Sequence, residues 1–183
     1  MLDRLAAIEG RLDPKTMRAQ AIAELDELFR SGTAPDPRPE GMVPGRLITM
    51  SVTRPTDALV KGIGQLYMPW LGKSFDPANE RGINVLVPSA RGPMKVLWPK
   101  YTPERELVDR IECFPFTTRV DPGAIDPDVN VLKIDYDHDA NPDFLIRRIL
   151  DELVQIDEGL YLGKILFRRK SGWKPIGFFS LEK

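Results

Sequence analysis

Cysteine and histidine are almost absent from this chain, which contains only Cys113 and His138. A single cysteine cannot form an internal disulfide bond, and its scarcity is compatible with the reducing environment of the cytoplasm. Thiolate zinc sites and two-histidine iron sites need more of these residues than the sequence provides. We therefore expect neither a metal nor a cofactor, and we interpret His138, which lies in an acidic turn, as an exposed loop residue.

The sequence also lacks an excess of charge of one sign and a long apolar run. Its formal net charge is −1, so it has no field that would attract nucleic acid or an anionic membrane. No run approaches the roughly 18 to 20 apolar residues that a membrane-spanning helix needs. The amphipathic start, Met1–Leu5, has no apolar signal core. These absences predict a soluble, cytoplasmic protein without nucleic-acid partners.

Two familiar ligand-binding motifs are incomplete. Gly72-Lys73-Ser74 resembles the end of a phosphate-binding loop, but the glycine required five residues earlier is Tyr67. The alternating acidic residues of 135–143 resemble a calcium-binding loop, but its sixth position is Ala140 and its twelfth is Ile146. We interpret the first as unrelated to nucleotides and the second as a solvated acidic turn.

The first 32 residues have the pattern of two helices. Apolar residues recur at a helical spacing over residues 2–12, and Asp13-Pro14 is a good N-cap and first turn for a second helix that ends at Gly32. This N-terminal arm (1–32) is predicted to pack on a neighbouring face or to mediate dimerisation. Four prolines in 33–44 then predict an extended strap rather than a central strand.

Residues 45–183 have the pattern of short strands separated by turns, which favours an antiparallel barrel. The first strand is predicted over 45–52, and Thr56 to about Met68 is predicted to form a lid helix. Strands are predicted over 83–87, 94–98, 106–118 and 129–136, followed by a helix over about 142–152. A closing meander is predicted over 154–156, 160–167 and 173–181. The predicted fold class is mainly β with minor α.

Aromatic side chains are the remaining constellation that could carry function. Most of them are expected in the core, because aromatic residues dominate the buried area of small domains. A subset would line an apolar pocket with a few polar groups for orientation. Arg46, Arg54 and Lys95 are candidate anchors for an anionic group. The residues predicted to bind a ligand are Tyr67, Trp70, Trp98, Phe116, Tyr161 and Arg54.

Three segments, Pro69–Asp76, Gly159–Lys164 and Gly177–Leu181, resemble a family of bacterial lipocalin-like proteins of unknown function. That family has a Trp-x-Gly-Lys-x-Phe stretch and a Gly-Leu-Tyr-Leu-Gly hairpin, and some members carry a Gly-x-Trp-x-Gly motif on the first strand. The equivalent stretch here, Gly45–Thr49, lacks the tryptophan and the second glycine. The resemblance implies a calycin-type barrel whose interior suits an apolar ligand, and it implies no catalytic residue.

The sequence leaves three functions open. The first is binding of a hydrophobic small molecule, such as a lipid, isoprenoid or polyketide, inside the barrel. The second is a cofactor-free isomerase or cyclase, for which Tyr161, Asp76 and Glu112 are candidate acid-base groups. The third is a protein-interaction module that uses the N-terminal helices to bind a partner or to form a homodimer. A titratable group that faces the barrel interior would favour the enzyme over simple binding.

Overall fold

The computed structural model of the protein describes residues 1–13, 15–50 and 70–183. The predicted lid helix and two predicted ligand-binding residues, Arg54 and Tyr67, lie outside the described residues. The last two residues of the predicted first strand, Ser51 and Val52, also lie outside them.

The described elements follow the chain in a simple order. The helices are α1 (Leu2–Glu9), α2 (Lys15–Arg30) and α3 (Arg91–Leu97). The strands are β1 (Gly41–Met50), β2 (Trp70–Asp76), β3 (Arg81–Leu86), β4 (Arg105–Glu106), β5 (Ile111–Pro122), β6 (Asn130–Asp135), β7 (Ile149–Asp157), β8 (Leu160–Arg169) and β9 (Gly172–Glu182). Single 3-10 turns lie at Pro77–Asn79, Pro88–Ala90 and Ile146–Arg148.

Within the described residues, eight strands form a closed antiparallel barrel, which confirms the predicted fold class. Their order around the barrel is β3-β2-β1-β9-β8-β7-β6-β5, and pairing between β3 and β5 closes the ring. The short strand β4 adds only two residue pairs to β5. Closure removes the unpaired edges that an open sheet would leave.

Two predicted elements are wrong. Residues 94–98, predicted as a strand, belong mostly to α3, where Pro93 lies in the first turn and removes no internal hydrogen bond. Residues 142–152, predicted as a helix, form a 3-10 turn followed by the start of β7. In β7 both faces are buried, so its apolar residues do not alternate as they do in a half-exposed strand.

Strand boundaries also differ from the prediction. β1 begins at Gly41 rather than Gly45, and Pro44 lies within it, opposite Gly72. β5 begins at Ile111, later than predicted, and continues to Pro122. The preceding strap is tied to the barrel by an isolated antiparallel bridge between Thr33 and Gln155.

The N-terminal arm packs on the outer wall of the barrel. Its buried residues Leu5, Leu25, Leu28 and Phe29 join a cluster with wall residues from β6, β7, β8 and β9, which are Val131, Val154, Leu162 and Phe178. This packing removes the apolar stripes of both helices from water, which is the main source of helix stability in proteins. Among the described residues, no helix is long and apolar enough to span a bilayer.

An ion-pair group centred on the buried Lys164 holds α2 to the wall. The Lys164 Nζ atom on β8 lies 2.6 Å from Asp26 Oδ1 and 2.5 Å from Asp126 Oδ2. Arg30 Nε lies 2.8 Å from the other oxygen of Asp126. Burial alone would raise the pKa of Asp126, but the hydrogen bonds from Arg30 and Lys164 outweigh it and lower that pKa. The arm and the barrel are therefore linked by charge as well as by apolar packing.

Inside the barrel, aromatic rings lie against glycines on neighbouring strands. Gly82 pairs with Phe116 across β3 and β5, and Gly163 pairs with Phe179 across β8 and β9. A Cβ atom added to Gly163 would lie 2.1 Å from the Phe179 ring, and one added to Gly82 would lie 2.4 Å from the Phe116 ring. The missing side chains thus provide the space that two interior rings occupy.

Candidate functional site

Four polar side chains meet inside the barrel, and we call them the interior polar cluster: Lys73, Asn84, Tyr136 and Asp151. Lys73 lies on β2, Asn84 on β3 and Asp151 on β7, and Tyr136 directly follows β6. Lys73 Nζ donates hydrogen bonds to Asn84 Oδ1 at 3.0 Å and to Asp151 Oδ2 at 2.9 Å, and also to the Tyr136 hydroxyl. Three strands and the end of a fourth thus converge on one ammonium group.

The geometry around Lys73 suits its charged form. Three acceptors, one of them a carboxylate, match the three N–H donors of an ammonium group. The side chains of Lys73 and Asp151 are both fully buried. Burial lowers the pKa of Lys73, and the adjacent Asp151 carboxylate opposes that shift. We infer that the pair is ionised in the resting protein, because an ammonium satisfies all three acceptors.

The remaining hydrogen bonds of the cluster fix the Tyr136 hydroxyl. Asn84 Nδ2 donates to the Tyr136 oxygen at 2.9 Å and to the carbonyl oxygen of Phe114 at 3.2 Å. The proton of the Tyr136 hydroxyl has two acceptors within reach, Asp151 Oδ2 at 3.2 Å and Asn84 Oδ1 at 3.3 Å. Two donors therefore point at the phenolic oxygen, and a carboxylate is placed to accept its proton.

Aromatic rings surround the ammonium group of Lys73. Its Nζ atom lies 5.3 Å from the ring centroid of Trp70, 5.4 Å from that of Phe116 and 5.1 Å from that of Phe179. The Tyr136 ring centroid is also 5.1 Å away. Each ring at this distance attracts a cation through its quadrupole. These rings compensate in part for the water that Lys73 loses on burial.

A narrow cavity adjoins the cluster. Its polar lining residues are Asn84 and Tyr136, and its apolar ones are Trp70, Leu86, Phe114, Ile146 and Ile149. All the empty space between these side chains, including the part open to solvent, is about 340 Å³. The volume that the centre of a water-sized sphere can occupy is about 20 Å³. That is room for about one water molecule. Side chains therefore fill most of this end of the barrel.

The predicted ligand-binding residues are only partly brought together. Trp70 lines the cavity, and Phe116 is buried beside Lys73. Trp98 is buried outside the cavity lining, where its ring packs on Phe114 and its Nε1 donates to the Phe144 carbonyl at 2.8 Å. Tyr161 lies far from the cavity. The cavity-lining Ile149 pairs with Phe167 at one end of the β7–β8 strand pair, whereas Tyr161 pairs with Gln155 near the other end.

The other candidate groups do not line the cavity. Arg46 forms an ion pair with Glu9 of the arm, and Lys95 is exposed on α3. Asp76 forms an ion pair with Arg81, and Glu112 forms one with Arg110. His138 is exposed in the acidic turn, where Arg147 forms ion pairs with Asp137, Asp139 and Asp143. None of these predicted anchors or acid-base groups lines the cavity, whose described lining residues are given above.

Sequence reasoning missed the cluster itself. In the sequence, Lys73 belongs to an incomplete phosphate-binding loop and to the Trp-x-Gly-Lys-x-Phe stretch, and Asn84 and Asp151 lie within apolar segments. The available signal was a polar residue at an alternating position of an otherwise buried strand, as in the pattern of β7, where Ile149, Asp151 and Leu153 share the inner face. A buried polar residue of that kind needs partners.

Comparison with known proteins adds little to this picture. No family model matches the chain, and no curated protein matches it. Among solved structures, it is similar to a protein from Thermomonospora curvata, with 17% sequence identity and a TM-score of 0.47. That similarity covers 97% of this chain and 98% of the other. The closed barrel is consistent with a calycin-like fold, and no family match supports a closer assignment.

Proposed function

We propose that the barrel interior binds a small, mainly apolar molecule whose single polar group reaches Tyr136 and Asn84. The observation that carries this proposal is the cavity, which has apolar walls and is lined by two residues of the interior polar cluster, Asn84 and Tyr136. Ligand sites typically combine such walls with a few polar groups that fix orientation. The ligand class predicted from the sequence, a lipid, isoprenoid or polyketide, is then limited to compact members.

The largest ligand that the cavity can hold depends on how far the side formed by Ile146 can move. Ile146 belongs to a 3-10 turn between β6 and β7, whereas Leu86 and Ile149 belong to barrel strands. A turn outside the barrel strands yields more easily than a wall held by hydrogen bonds on both sides. A ligand that needs more than the closed volume would therefore displace Ile146 first.

The test combines native mass spectrometry of the purified protein with saturation-transfer NMR, using cyclohexanone as a small probe. Ile146→Trp should fill the cavity and abolish probe binding, whereas Ile146→Ala should preserve it. Ile176→Ala is the matched control, because Ile176 is buried in the same core but does not line the cavity. Probe binding that is equally strong in Ile146→Trp would refute the site.

The second candidate is a cofactor-free enzyme on the same barrel. A specific observation favours it: the ionisable side chains of Lys73, Tyr136 and Asp151 lie inside the barrel. Interior groups of this kind are what general acid-base chemistry requires. A role of the arm in protein interaction or homodimerisation stays a prediction, and the buried apolar face of α2 is already used by the barrel wall.

A further inference from the structure

We propose that the interior polar cluster is a proton-transfer site for enolisable carbonyl compounds, with Tyr136 as the catalytic residue. This inference rests on the proposed function, because the substrate would occupy the cavity that Tyr136 lines. Lys73, Asn84 and Asp151 act through Tyr136 and are positioning residues. The expected net reaction moves a proton, and hence a double bond, within one molecule.

The position of Tyr136 joins the cavity to the ion pair. Of the described residues that line the cavity, Tyr136 is the one with an ionisable side chain. Lys73 and Asn84 both donate to its oxygen, and its own proton has Asp151 Oδ2 as an acceptor at 3.2 Å. Transfer of that proton to Asp151 leaves a phenolate held by two hydrogen-bond donors. Such an oxygen is a base, and it belongs to a residue that lines the cavity.

The first step takes a proton from the substrate. A C–H bond next to the substrate carbonyl breaks, a new O–H bond forms at Tyr136, and the original Tyr136 proton bonds to Asp151 Oδ2. The electron pair of the C–H bond becomes the enolate of the substrate. In the second step Tyr136 gives a proton to another carbon of the enolate and recovers one from Asp151. When the Tyr136 proton exchanges with solvent between the two steps, a deuteron from D₂O is transferred to the substrate instead. The two steps balance without an oxidant, a reductant or a cofactor.

The cluster and the substrate together keep the same net charge throughout these steps. At rest the ammonium of Lys73 balances the carboxylate of Asp151, 2.9 Å away. Once Asp151 holds a proton, the charge of Lys73 is free to balance the enolate. Charges in a site that excludes water interact more strongly than in bulk solvent. The Lys73 ammonium is thus paired with the Asp151 carboxylate at rest and stabilises the negative charge of the enolate once Asp151 is protonated.

The first experiment measures hydrogen–deuterium exchange at the α-carbons of cyclohexanone in D₂O by proton NMR, using the full chain. The wild-type protein should accelerate exchange, and Tyr136→Phe should lower the acceleration by about 100-fold or more, the usual contribution of a positioned acid-base group. Tyr101→Phe is the matched control, because the Tyr101 hydroxyl accepts a hydrogen bond from the Phe114 backbone outside the cavity lining. Exchange that persists in Tyr136→Phe would overturn the assignment.

The second experiment uses 4-nitrophenol as a mimic of the enolate, because its ionised form absorbs visible light. The wild-type protein should bind it as the phenolate and increase the visible band. The double variant Lys73→Met with Asp151→Leu, which leaves no buried charge unpaired, should bind it without that increase. Lys164→Met is the matched control, because Lys164 is also fully buried but lies on the outer wall of the barrel.

The outcomes separate the two proposals. Probe binding with neither exchange nor an increased phenolate band would overturn the proton-transfer site and leave small-molecule binding intact. Absence of binding for both probes would overturn the proposed function and this inference together. Exchange that is lost in Tyr136→Phe, with an increased phenolate band that is lost in the double variant, would support both.

Discussion

Replacing Lys73 by methionine is expected to lower the free energy of unfolding by about 3–5 kcal/mol. Both side chains of the Lys73–Asp151 pair are fully buried, and the two charged atoms are 2.9 Å apart. At an effective dielectric constant of about 20, their attraction is about 6 kcal/mol. Each ion also loses several kcal/mol of hydration on burial, so the net contribution of the pair is close to zero.

That balance predicts an asymmetric mutant series. Lys73→Met leaves a buried carboxylate without its cation, and a domain of ordinary stability has only about 5–15 kcal/mol to lose. Adding Asp151→Leu removes the remaining charge, and the double variant should be as stable as the wild type or about 1–4 kcal/mol more stable. The two substitutions should therefore be strongly non-additive.

The assay is urea unfolding followed by tryptophan fluorescence, since Trp70 and Trp98 are both buried. A double-mutant cycle then gives the coupling energy between Lys73 and Asp151. If Lys73→Met alone lowers the unfolding free energy by less than about 1 kcal/mol, Lys73 is not the buried ammonium described here. If the double variant is stable but inactive in proton exchange, the pair is kept for chemistry rather than for stability.

Three further predictions concern packing and the arm. Gly163→Ala should lower the unfolding free energy by about 1–3 kcal/mol or more, because the new methyl group would overlap the Phe179 ring, and Phe179→Leu should restore part of the loss in urea unfolding. Leu28→Ala should cost about 2–5 kcal/mol in the same assay, because Leu28 is fully buried against the barrel wall; a much smaller loss would show that the arm unfolds separately. The pKa of Asp126 is lower in the folded state than in the unfolded state, so its carboxylate stabilises the folded state at pH values above the ordinary carboxyl pKa of about 3.9. This contribution is lost as the pH falls through the lower pKa of the folded state. Asp126→Asn should therefore weaken the acid dependence of α2 detachment, measured by limited proteolysis, and an unchanged pH profile would contradict the role given to the buried ion pairs.

The closing meander was predictable because its signals are local. Gly159 and Gly172 adopt positive φ angles of 66° and 106° at the two turns that separate β7, β8 and β9. Glycine is the residue that tolerates this conformation, so these turns are readable from sequence alone. The same holds for the two helices of the arm, whose apolar spacing matches the residues buried on the wall.

The missed features depend on contacts between distant parts of the chain. The arm covers β7 and β8 from outside, so both faces of these strands are buried and their alternation disappears. Lys73 and Asp151 are adjacent only because the barrel closes, and nothing near either residue in sequence indicates the other. Alternation can indicate that Asp151 faces inward, but not which strand lies across the barrel from it.

The glycine–ring pairs inside the barrel also leave a trace in evolution. Phe179 occupies space that any side chain at position 163 would need, and Phe116 does the same at position 82. We therefore expect the two members of each pair to vary together, because a side chain at the glycine position would overlap the ring. Among diverged relatives, a larger residue at position 163 should appear together with a smaller one at position 179. Because Phe116 and Phe179 also flank the Lys73 ammonium, such paired replacements should coincide with loss of the lysine.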